Sequence, residues 1–219
     1  MRVNRYRLVS LQVERLSFSY KPGVELISNL SFSLPRGEVA LLWGPSGCGK
    51  STLMKLLLGA LPPRGGEILW VSDKGSSFHP SPQLTRAHIG YQPQELLIPR
   101  YMSVKEVIEQ LLSLRGERIT ANELKLIEEL GLSPEALTSE LSVGELSRVA
   151  LARAIAGSPD FVLLDEPTAH LDDGSKVTVL RALDIALDDG TGLVIATHDP
   201  HLKGWASSRS ALIVNFTSA

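Results

Sequence analysis

The chain has 219 residues, of which 43% are hydrophobic, and its formal net charge is −2. This length fits one large domain or two small ones, and the hydrophobic content is typical of a globular protein with a buried core. Because nucleic acids select strongly basic surfaces, the near-neutral charge argues against nucleic acid as the main partner.

The sequence predicts neither an internal disulfide nor a membrane-spanning segment. Its single cysteine, Cys48, cannot form an internal disulfide, which favours a reducing compartment. No apolar run reaches the roughly 18 residues that a membrane-spanning helix needs. The arginines near the start, Arg2, Arg5 and Arg7, are not followed by the apolar segment of a secretory signal. We therefore expect any work at a membrane to pass through another chain.

Periodicity predicts strands and helices that alternate along much of the chain. The predicted strands cover residues 11–14, 16–20, 30–34, 38–43, 161–164, 192–197 and 211–214. The predicted helices cover residues 51–58, 103–114, 121–130, 143–156 and 176–187, and residues 72–81 are predicted to be a loop. Strands that alternate with helices imply an α/β fold with a mostly parallel sheet.

A glycine-rich segment after the predicted strand 38–43 matches the phosphate-loop pattern GxxxxGK followed by Ser or Thr. Its residues are Gly44, Pro45, Ser46, Gly47, Cys48, Gly49, Lys50, Ser51 and Thr52. Glycines let backbone N–H groups surround phosphate oxygens, and the following helix adds its positive end. Lys50 would bring a charge to the terminal phosphates, and Ser51 a hydroxyl ligand to Mg²⁺. A chance glycine loop is the alternative, but the flanking strand and helix argue against it.

Two acidic residues follow the apolar strand 161–164, namely Asp165 and Glu166. An acid at the end of a buried strand suits a Mg²⁺ site beside a phosphate loop, with Asp165 holding the metal through water. Glu166 is then placed to polarise the attacking water as a general base. Taken alone, the pair could simply begin a surface turn before Pro167. The phosphate loop makes the metal-site interpretation the stronger one.

Between these two motifs, Leu141-Ser142-Val143-Gly144-Glu145 resembles the LSGGQ signature of ATP-binding cassette (ABC) ATPases. The resemblance implies that Ser142, Gly144 and Glu145 contact the ATP held by another subunit. By itself, a serine before a helix is more often only an N-cap. Val143 replaces the usual glycine and adds a branched side chain near the partner's nucleotide. Glutamate in place of glutamine at position 145 is familiar in the family.

Further segments resemble the other motifs of this family. In Thr197-His198-Asp199, the resemblance gives His198 the role of the switch histidine, which holds the γ-phosphate, Glu166 and the attacking water in register. In Ala169-His170-Leu171-Asp172, it makes Asp172 the D-loop residue that communicates across a dimer. His170 occupies a variable position of that loop and is interpreted as structural.

The family resemblance also gives roles to an aromatic residue and a glutamine. A tyrosine at a strand end is more often part of the core, but Tyr20 matches the aromatic side chain that stacks on adenine in this family, and we expect that role for it. Gln94 matches the Q-loop glutamine that touches Mg²⁺, and Gln92 competes for that role at a less usual spacing. Cys48 lies where a thiolate is favoured, but an inert small residue is the preferred interpretation.

The resemblance implies a P-loop NTPase core with a mostly parallel sheet, an N-terminal antiparallel β-subdomain and an inserted α-helical subdomain at about 95–157. These parts are expected to form a single ABC ATPase domain, residues 11–219, that binds ATP and Mg²⁺.

The implied assembly is a head-to-tail homodimer around two MgATP. It would drive separate integral membrane permease subunits from the cytoplasmic, inner face of the cell membrane.

Three other functions are alternatives to this one. An ABC ATPase could power a non-transport complex in cell division or envelope remodelling. DNA-repair cassettes carry coiled-coil insertions and basic surfaces that this sequence lacks. A simple P-loop kinase would need no signature, D-loop or switch histidine.

Overall fold

The computed structural model describes residues 6–169 and 171–216. Within these residues the strands are β1 (Leu8–Phe18), β2 (Ile27–Pro35), β3 (Val39–Trp43), β4 (Gly65–Ser72), β5 (Ser77–Phe78), β6 (Ile89–Gln92), β7 (Phe161–Asp165), β8 (Gly192–Thr197) and β9 (Leu212–Asn215). The helices are α1 (Lys50–Leu57), α2 (Pro82–His88), α3 (Val104–Leu114), α4 (Ala121–Glu129), α5 (Val143–Ile155), α6 (Asp173–Asp188) and α7 (Pro200–Ser207). Arg2, Arg5 and His170 lie outside the described residues.

The N-terminal strands form a four-stranded sheet in the order β2-β1-β4-β5, and each neighbouring pair is antiparallel. Strand β1 buries Leu11 and Val13 on one face, which is the period-two pattern of a half-buried strand. The central register pairs Leu11 with Leu34 of β2 and with Trp70 of β4. This small sheet covers one side of the core with its apolar face.

The second sheet has five strands in the order β6-β7-β8-β3-β9, and all of its pairings are parallel. Every residue of β7 and β8 is buried, as expected for central strands covered on both faces. Because the strands are parallel, their carboxyl ends meet at one edge. The loops after β3, β6, β7 and β8 therefore emerge side by side.

Alternate residues of the parallel sheet belong to two separate hydrophobic clusters. On one face, residues such as Leu42 and Leu163 pack with α1 and the antiparallel sheet. On the other face, residues such as Leu41 and Leu164 pack with α3, α4, α5 and α6. The result is a three-layer α/β arrangement around the sheet that carries the motif loops.

The predicted fold class is confirmed, including the antiparallel N-terminal sheet and the parallel sheet with helices. The sequence patterns missed β4, β6, α2 and α7, and the predicted loop at 72–81 contains the short strand β5. Helices α3, α4 and α5 all lie between β6 and β7. The boundaries of a separate helical subdomain at 95–157 stay a prediction. None of the helices described by the structure is long and apolar enough to cross a bilayer.

Candidate active site

The phosphate-loop segment connects β3 to α1 with a backbone that depends on glycine at two points. A Cβ on Gly44 would lie 2.5 Å from the Phe216 carbonyl oxygen and 2.9 Å from Cys48 Sγ, which is too close for any side chain. Gly49 is the N-cap of α1 with φ 108°, and no side chain caps the helix. The N–H groups of the first turn therefore have no intrahelical acceptor and can bind an anion.

Lys50 is the first residue of α1, and its ammonium group is buried among backbone oxygens. Nζ donates to the Gly44 carbonyl at 2.7 Å and to the Pro45 carbonyl at 2.8 Å. The same nitrogen lies 3.7 Å from Glu166 Oε1, and both side chains are at most 6% exposed. The fold thus brings the cation of the phosphate loop against the acid predicted to be the general base.

Asp165 ends β7 with a carboxyl group that the fold buries almost completely, since the residue is 2% exposed. Its Oδ1 has no hydrogen-bond partner among the residues that the structure describes. Burial raises the pKa of this carboxyl, and the nearby charge of Glu166 adds to the rise, while a hydrogen bond with Ser51 and the charge of Lys50 oppose it. A buried, under-satisfied carboxylate beside a serine hydroxyl is a donor set that suits a hard cation.

The described residues contain no cluster of three or more His, Cys, Asp or Glu side chains that could hold a metal by themselves. Mg²⁺ seldom requires such a cluster, because it keeps several waters and binds one or two carboxylates together with substrate phosphates. Asp165 and Ser51 therefore fit a Mg²⁺ ion that arrives with a nucleotide.

Glu166 follows Asp165 with φ 53°, in the left-handed region that non-glycine residues rarely adopt. Its N–H donates to the Ala196 carbonyl at 2.9 Å, which ties the backbone of this residue to β8. Such strain is found where a side chain must point in one direction. Here the side chain is directed toward Lys50 and the residues that follow β8.

His198 and Thr197 hold the two oxygens of the Glu166 carboxylate. His198 Nδ1 lies 2.8 Å from Oε1, and the Thr197 hydroxyl donates to Oε2 at 3.1 Å. Because a carboxylate only accepts hydrogen bonds, Nδ1 carries the proton in this pair. The imidazole is 59% exposed, so the predicted switch histidine lies at the surface and the glutamate beneath it.

The signature segment lies at the start of α5. Ser142 is the N-cap, and its Oγ accepts from the Glu145 N–H at 3.3 Å. In return, Glu145 Oε2 accepts from the Ser142 N–H at 2.9 Å and from its hydroxyl at 2.7 Å. These hydrogen bonds lower the pKa of Glu145. Val143 is 56% exposed beside them, and Gly144 follows in the first turn.

The structure does not bring the signature residues to the phosphate loop of the same chain. Among the described residues, no hydrogen bond or ion pair joins Ser142 or Glu145 to residues 44–52. The predicted site residues therefore fall into two groups, one around Lys50 and the other at the N-terminus of α5.

Asp172, the predicted D-loop residue, is the N-cap of α6. Its carboxylate accepts from the Ser175 N–H at 2.9 Å and from the Ser175 hydroxyl at 3.0 Å, and these hydrogen bonds lower its pKa. Ser175 Oγ in turn accepts from Arg148 of α5 at 2.8 Å. Sequence reasoning did not anticipate this link between the D-loop and the signature helix.

Two glutamines compete for the Q-loop role, and they lie in different surroundings. Gln92 is the last residue of β6 and is 1% exposed, and its Oε1 has no partner within the described parts of the chain. Gln94 lies two residues beyond the end of the strand, and its side chain is exposed. Gln94, which has the more usual spacing of the family, stays the predicted Q-loop residue.

Tyr20 and Cys48 also lie close to the phosphate-loop helix. Tyr20 is 57% exposed, its hydroxyl lies 3.2 Å from Thr52 Oγ1, and its ring makes an edge contact with Phe18. The ring is thus more than half exposed beside the first turn of α1. The Cys48 side chain is buried at 5% exposure, and its Sγ lies 4.0 Å from Lys50 Nζ.

A sequence profile described as ABC transporter matches residues 27–169. The chain belongs to the ABC transporter family. The lipopolysaccharide export system ATP-binding protein LptB of Escherichia coli is 34% identical over 200 residues, covering 88% of this chain and 81% of that protein. The zinc import ATP-binding protein ZnuC of Brucella suis is 34% identical over 193 residues, covering 87% of this chain and 60% of that protein.

Solved structures agree with this assignment. A protein from Pyrococcus furiosus described as an ABC transporter ATP-binding protein superposes with a TM-score of 0.79 at 26% identity, covering 94% of this chain and 97% of that one. A dimeric bacterial ABC transporter cassette superposes with a TM-score of 0.78 at 22% identity, covering 94% of each chain, and shows the shared fold. The chain is therefore an ABC cassette that binds ATP and acts as an ATPase.

The site contains one functional candidate that the sequence patterns did not single out. The switch-histidine motif gives a role to His198 and none to Thr197, yet the Thr197 hydroxyl contacts the Glu166 carboxylate directly. A signal for it was present, because a polar residue at the end of an otherwise apolar strand faces either solvent or a site. Thr197 is fully buried.

Proposed function

We propose that this ABC ATPase forms a head-to-tail dimer that holds two MgATP between its subunits and drives a separate membrane partner. The observation that carries the proposal is the division of the site into two groups. One group contains Lys50, Asp165, Glu166 and His198, and within the part of the chain that the structure describes no hydrogen bond or ion pair links it to Ser142 or Glu145. A second subunit can supply the missing group of donors to each nucleotide.

The first group would bind and activate the triphosphate end of ATP. The N–H groups at the start of α1 and the Lys50 ammonium attract phosphate oxygens. Ser51, Asp165 and Gln94 would hold Mg²⁺, and Tyr20 would stack on the adenine ring. When bound, Mg²⁺ would neutralise charge on the phosphate oxygens as the bond to the terminal phosphate breaks.

Glu166 would take the proton of the attacking water, and His198 would keep its carboxylate in place. Lys50 contacts this same carboxylate at 3.7 Å. A phosphate that engages Lys50 would therefore also change the surroundings of the base. The binding of a triphosphate would in this way affect the ability of Glu166 to act as the general base.

The second group would complete the site in the partner subunit. Ser142 and the N–H groups at the start of α5 present donors that suit a terminal phosphate, with Gly144 and Glu145 in the first turn. Asp172 would communicate across the same interface. Closure of two such half-sites excludes water and is favoured only while a γ-phosphate bridges them.

The relatives support coupling to membrane transport, because one is named for lipopolysaccharide export and the other for zinc import. We infer that the chain works at the inner face of a membrane through permease subunits. Co-purification from detergent extracts with an integral membrane protein would support this part of the proposal. If the chain is recovered from such extracts without any integral membrane protein, this part of the proposal is contradicted.

The shared site is tested by the variant Glu166→Gln. It should bind MgATP, lose at least about 99% of turnover, as expected when a general base is removed, and sediment as an ATP-dependent dimer. Glu128→Gln, an exposed change on α4, is the matched control and should retain wild-type turnover. Normal hydrolysis by Glu166→Gln would refute the role of this residue.

A mixing experiment tests whether each site draws on two chains. Ser142→Arg and Glu166→Gln should each be inactive, because each spoils both sites of its own dimer. When the two variants are mixed in equal amounts before ATP is added, half of the dimers that form should be hybrids. Each hybrid has one intact site. We expect recovery of about a quarter of the wild-type rate for independent sites of a twofold-symmetric dimer. A mixture no more active than its parents would refute the shared site.

A further inference from the structure

Thr197 ends β8 with a hydroxyl group that is hidden from solvent and bonded on two sides. The residue is 0% exposed. Its Oγ1 accepts from the Asp199 N–H at 3.0 Å and donates to Glu166 Oε2 at 3.1 Å. Because the backbone N–H occupies a lone pair of the oxygen, the hydroxyl proton is directed toward the carboxylate. The hydroxyl therefore has a fixed orientation.

The Glu166 carboxylate needs such a contact to keep one orientation. The terminal torsion of glutamate is broad, so the backbone alone does not set the plane of the carboxylate. The other contacts of this carboxylate are both to Oε1: the half-exposed ring of His198 at 2.8 Å and the Lys50 ammonium at 3.7 Å. Among the contacts described, only Thr197 holds Oε2.

The register of the sheet explains why Thr197 occupies this place. Asp165 pairs with Ala196 across β7 and β8, and the Glu166 N–H donates to the Ala196 carbonyl at 2.9 Å. This pairing places the backbone of Glu166 next to the last residue of β8. The hydroxyl of that residue then reaches the carboxylate without passing through solvent.

We propose that Thr197 is a positioning residue for Glu166 that fixes the carboxylate plane for water activation. This inference rests on the proposed role of Glu166 as the general base. Among the described residues, no hydrogen bond joins the Thr197 side chain to the phosphate loop, so Thr197 acts on hydrolysis through Glu166 and leaves ATP binding to other residues.

The test uses Thr197→Val, which keeps the shape of the side chain and removes the hydroxyl. We expect kcat to fall about 10- to 100-fold, as misplacement of a reacting group does, and KM for ATP to change less than about threefold. Thr197→Ser restores the hydroxyl and should return kcat to within about threefold of wild type. This split between kcat and KM, with rescue by serine, is not expected of a purely structural threonine.

Thr191→Val is the matched control. Thr191 is 1% exposed and precedes the other end of β8, where its hydroxyl donates to the Pro159 carbonyl at 3.1 Å. The control loses a buried hydroxyl from the same region but leaves Glu166 untouched. We expect a loss of thermal stability like that of Thr197→Val and a wild-type kcat in the folded protein.

A combination of variants separates positioning from other effects. In a Glu166→Ala background, adding Thr197→Val should change the residual rate less than about twofold, because residues that act as a unit are not additive. A full 10-fold or larger further loss would overturn the proposal. Equal kcat values for Thr197→Val and Thr191→Val, or no rescue by Thr197→Ser, would overturn it as well.

If Thr197→Val does not fold, Thr197→Ser and Thr197→Cys provide the same comparison with smaller changes. A thiol is a weak donor, so cysteine should lower kcat and serine should not, and equal rates would overturn the proposal. Failure of the proposed base is recognised separately, because Glu166→Gln would then turn over ATP normally. A dead Glu166→Gln with an unaffected Thr197→Val refutes the positioning role alone.

Discussion

Replacing Asp165 by asparagine removes a negative charge that the fold buries at the end of β7. The residue is 2% exposed, and its Oδ1 has no hydrogen-bond partner in the described parts of the chain. Burial, aided by the charge of Glu166, raises the pKa of the carboxyl. The charged form is therefore less stable in the folded protein than in the unfolded chain, and the proposed Mg²⁺ would offset this cost.

The sign of the pH dependence follows from that direction. A carboxyl group whose pKa is higher in the folded state loses stability as the pH rises from the ordinary aspartate range through the raised value. Above the raised value the cost is present in full, and Asp165→Asn removes it. We expect the free energy of unfolding to rise by about 1–2 kcal/mol, or about 2–8 °C in Tm. The gain should shrink as the pH is lowered toward the ordinary range.

Asp160→Asn is the matched control because Asp160 lies just before β7, at its other end, and is also buried. Its Oδ2 accepts from the Leu8 N–H at 2.9 Å and lies 2.7 Å from His88 Nδ1. An asparagine there loses a charged acceptor that the fold uses, so we expect a loss of about 1–3 kcal/mol. The two substitutions should thus shift stability in opposite directions.

The assay is thermal unfolding without nucleotide in EDTA, followed by the same measurement with MgATP in a Glu166→Gln background. Asp165→Asn should raise the first midpoint and abolish most of the stabilisation by MgATP, which depends on binding to the folded state. A lower midpoint for Asp165→Asn at every pH above the ordinary aspartate range would refute the argument from burial. An unchanged MgATP effect would refute the proposed metal role.

Gly90→Ala should lower the free energy of unfolding in urea by about 3 kcal/mol, because the added Cβ would overlap the Ala154 carbonyl oxygen. Gly204→Ala has open space in α7 and should raise the free energy of unfolding by about 0.5–1 kcal/mol. Equal effects of the two substitutions would contradict the packing argument. Tyr20→Ala should raise the KM for ATP about 5- to 10-fold, as the loss of base stacking does, with little change in kcat. Tyr101→Ala, at another exposed tyrosine, is the control and should leave the KM for ATP unchanged. An unchanged KM for Tyr20→Ala would contradict adenine stacking.

Sequence reasoning identified the elements whose signals are local and strong. Apolar runs marked β3, β7 and β8, and the phosphate loop, the acidic pair and the switch-histidine motif were each predicted beside the strand that carries them. The predicted capping box is also confirmed: Ser103 and Glu106 cap the start of α3, and the Ser103 N–H donates to Glu106 Oε2 at 2.6 Å. Such patterns need only neighbouring residues, so they can be read without the fold.

The missed helices are short, and their caps were the only local signals. Helix α2 begins after Ser81, whose Oγ accepts from the Leu84 N–H at 3.3 Å, and Pro82 is its first residue. Helix α7 begins after Asp199 in the same way, with Pro200 at its first position. Serine or aspartate before proline is a recognised helix start, but here it lies in segments whose Pro, Ser and Gly content is typical of loops.

The arrangement of the site depends on the strand order, which no local pattern contains. Strand β8 lies between β7 and β3, with Ala196 paired to Asp165 and Thr197 paired to Trp43. The loop after β8 therefore enters the space between the acidic loop and the phosphate loop. With β8 at the sheet edge, His198 and Thr197 could not both reach Glu166 while Lys50 contacts it. The motifs determine which side chains are present, and the insertion of β8 determines that they meet.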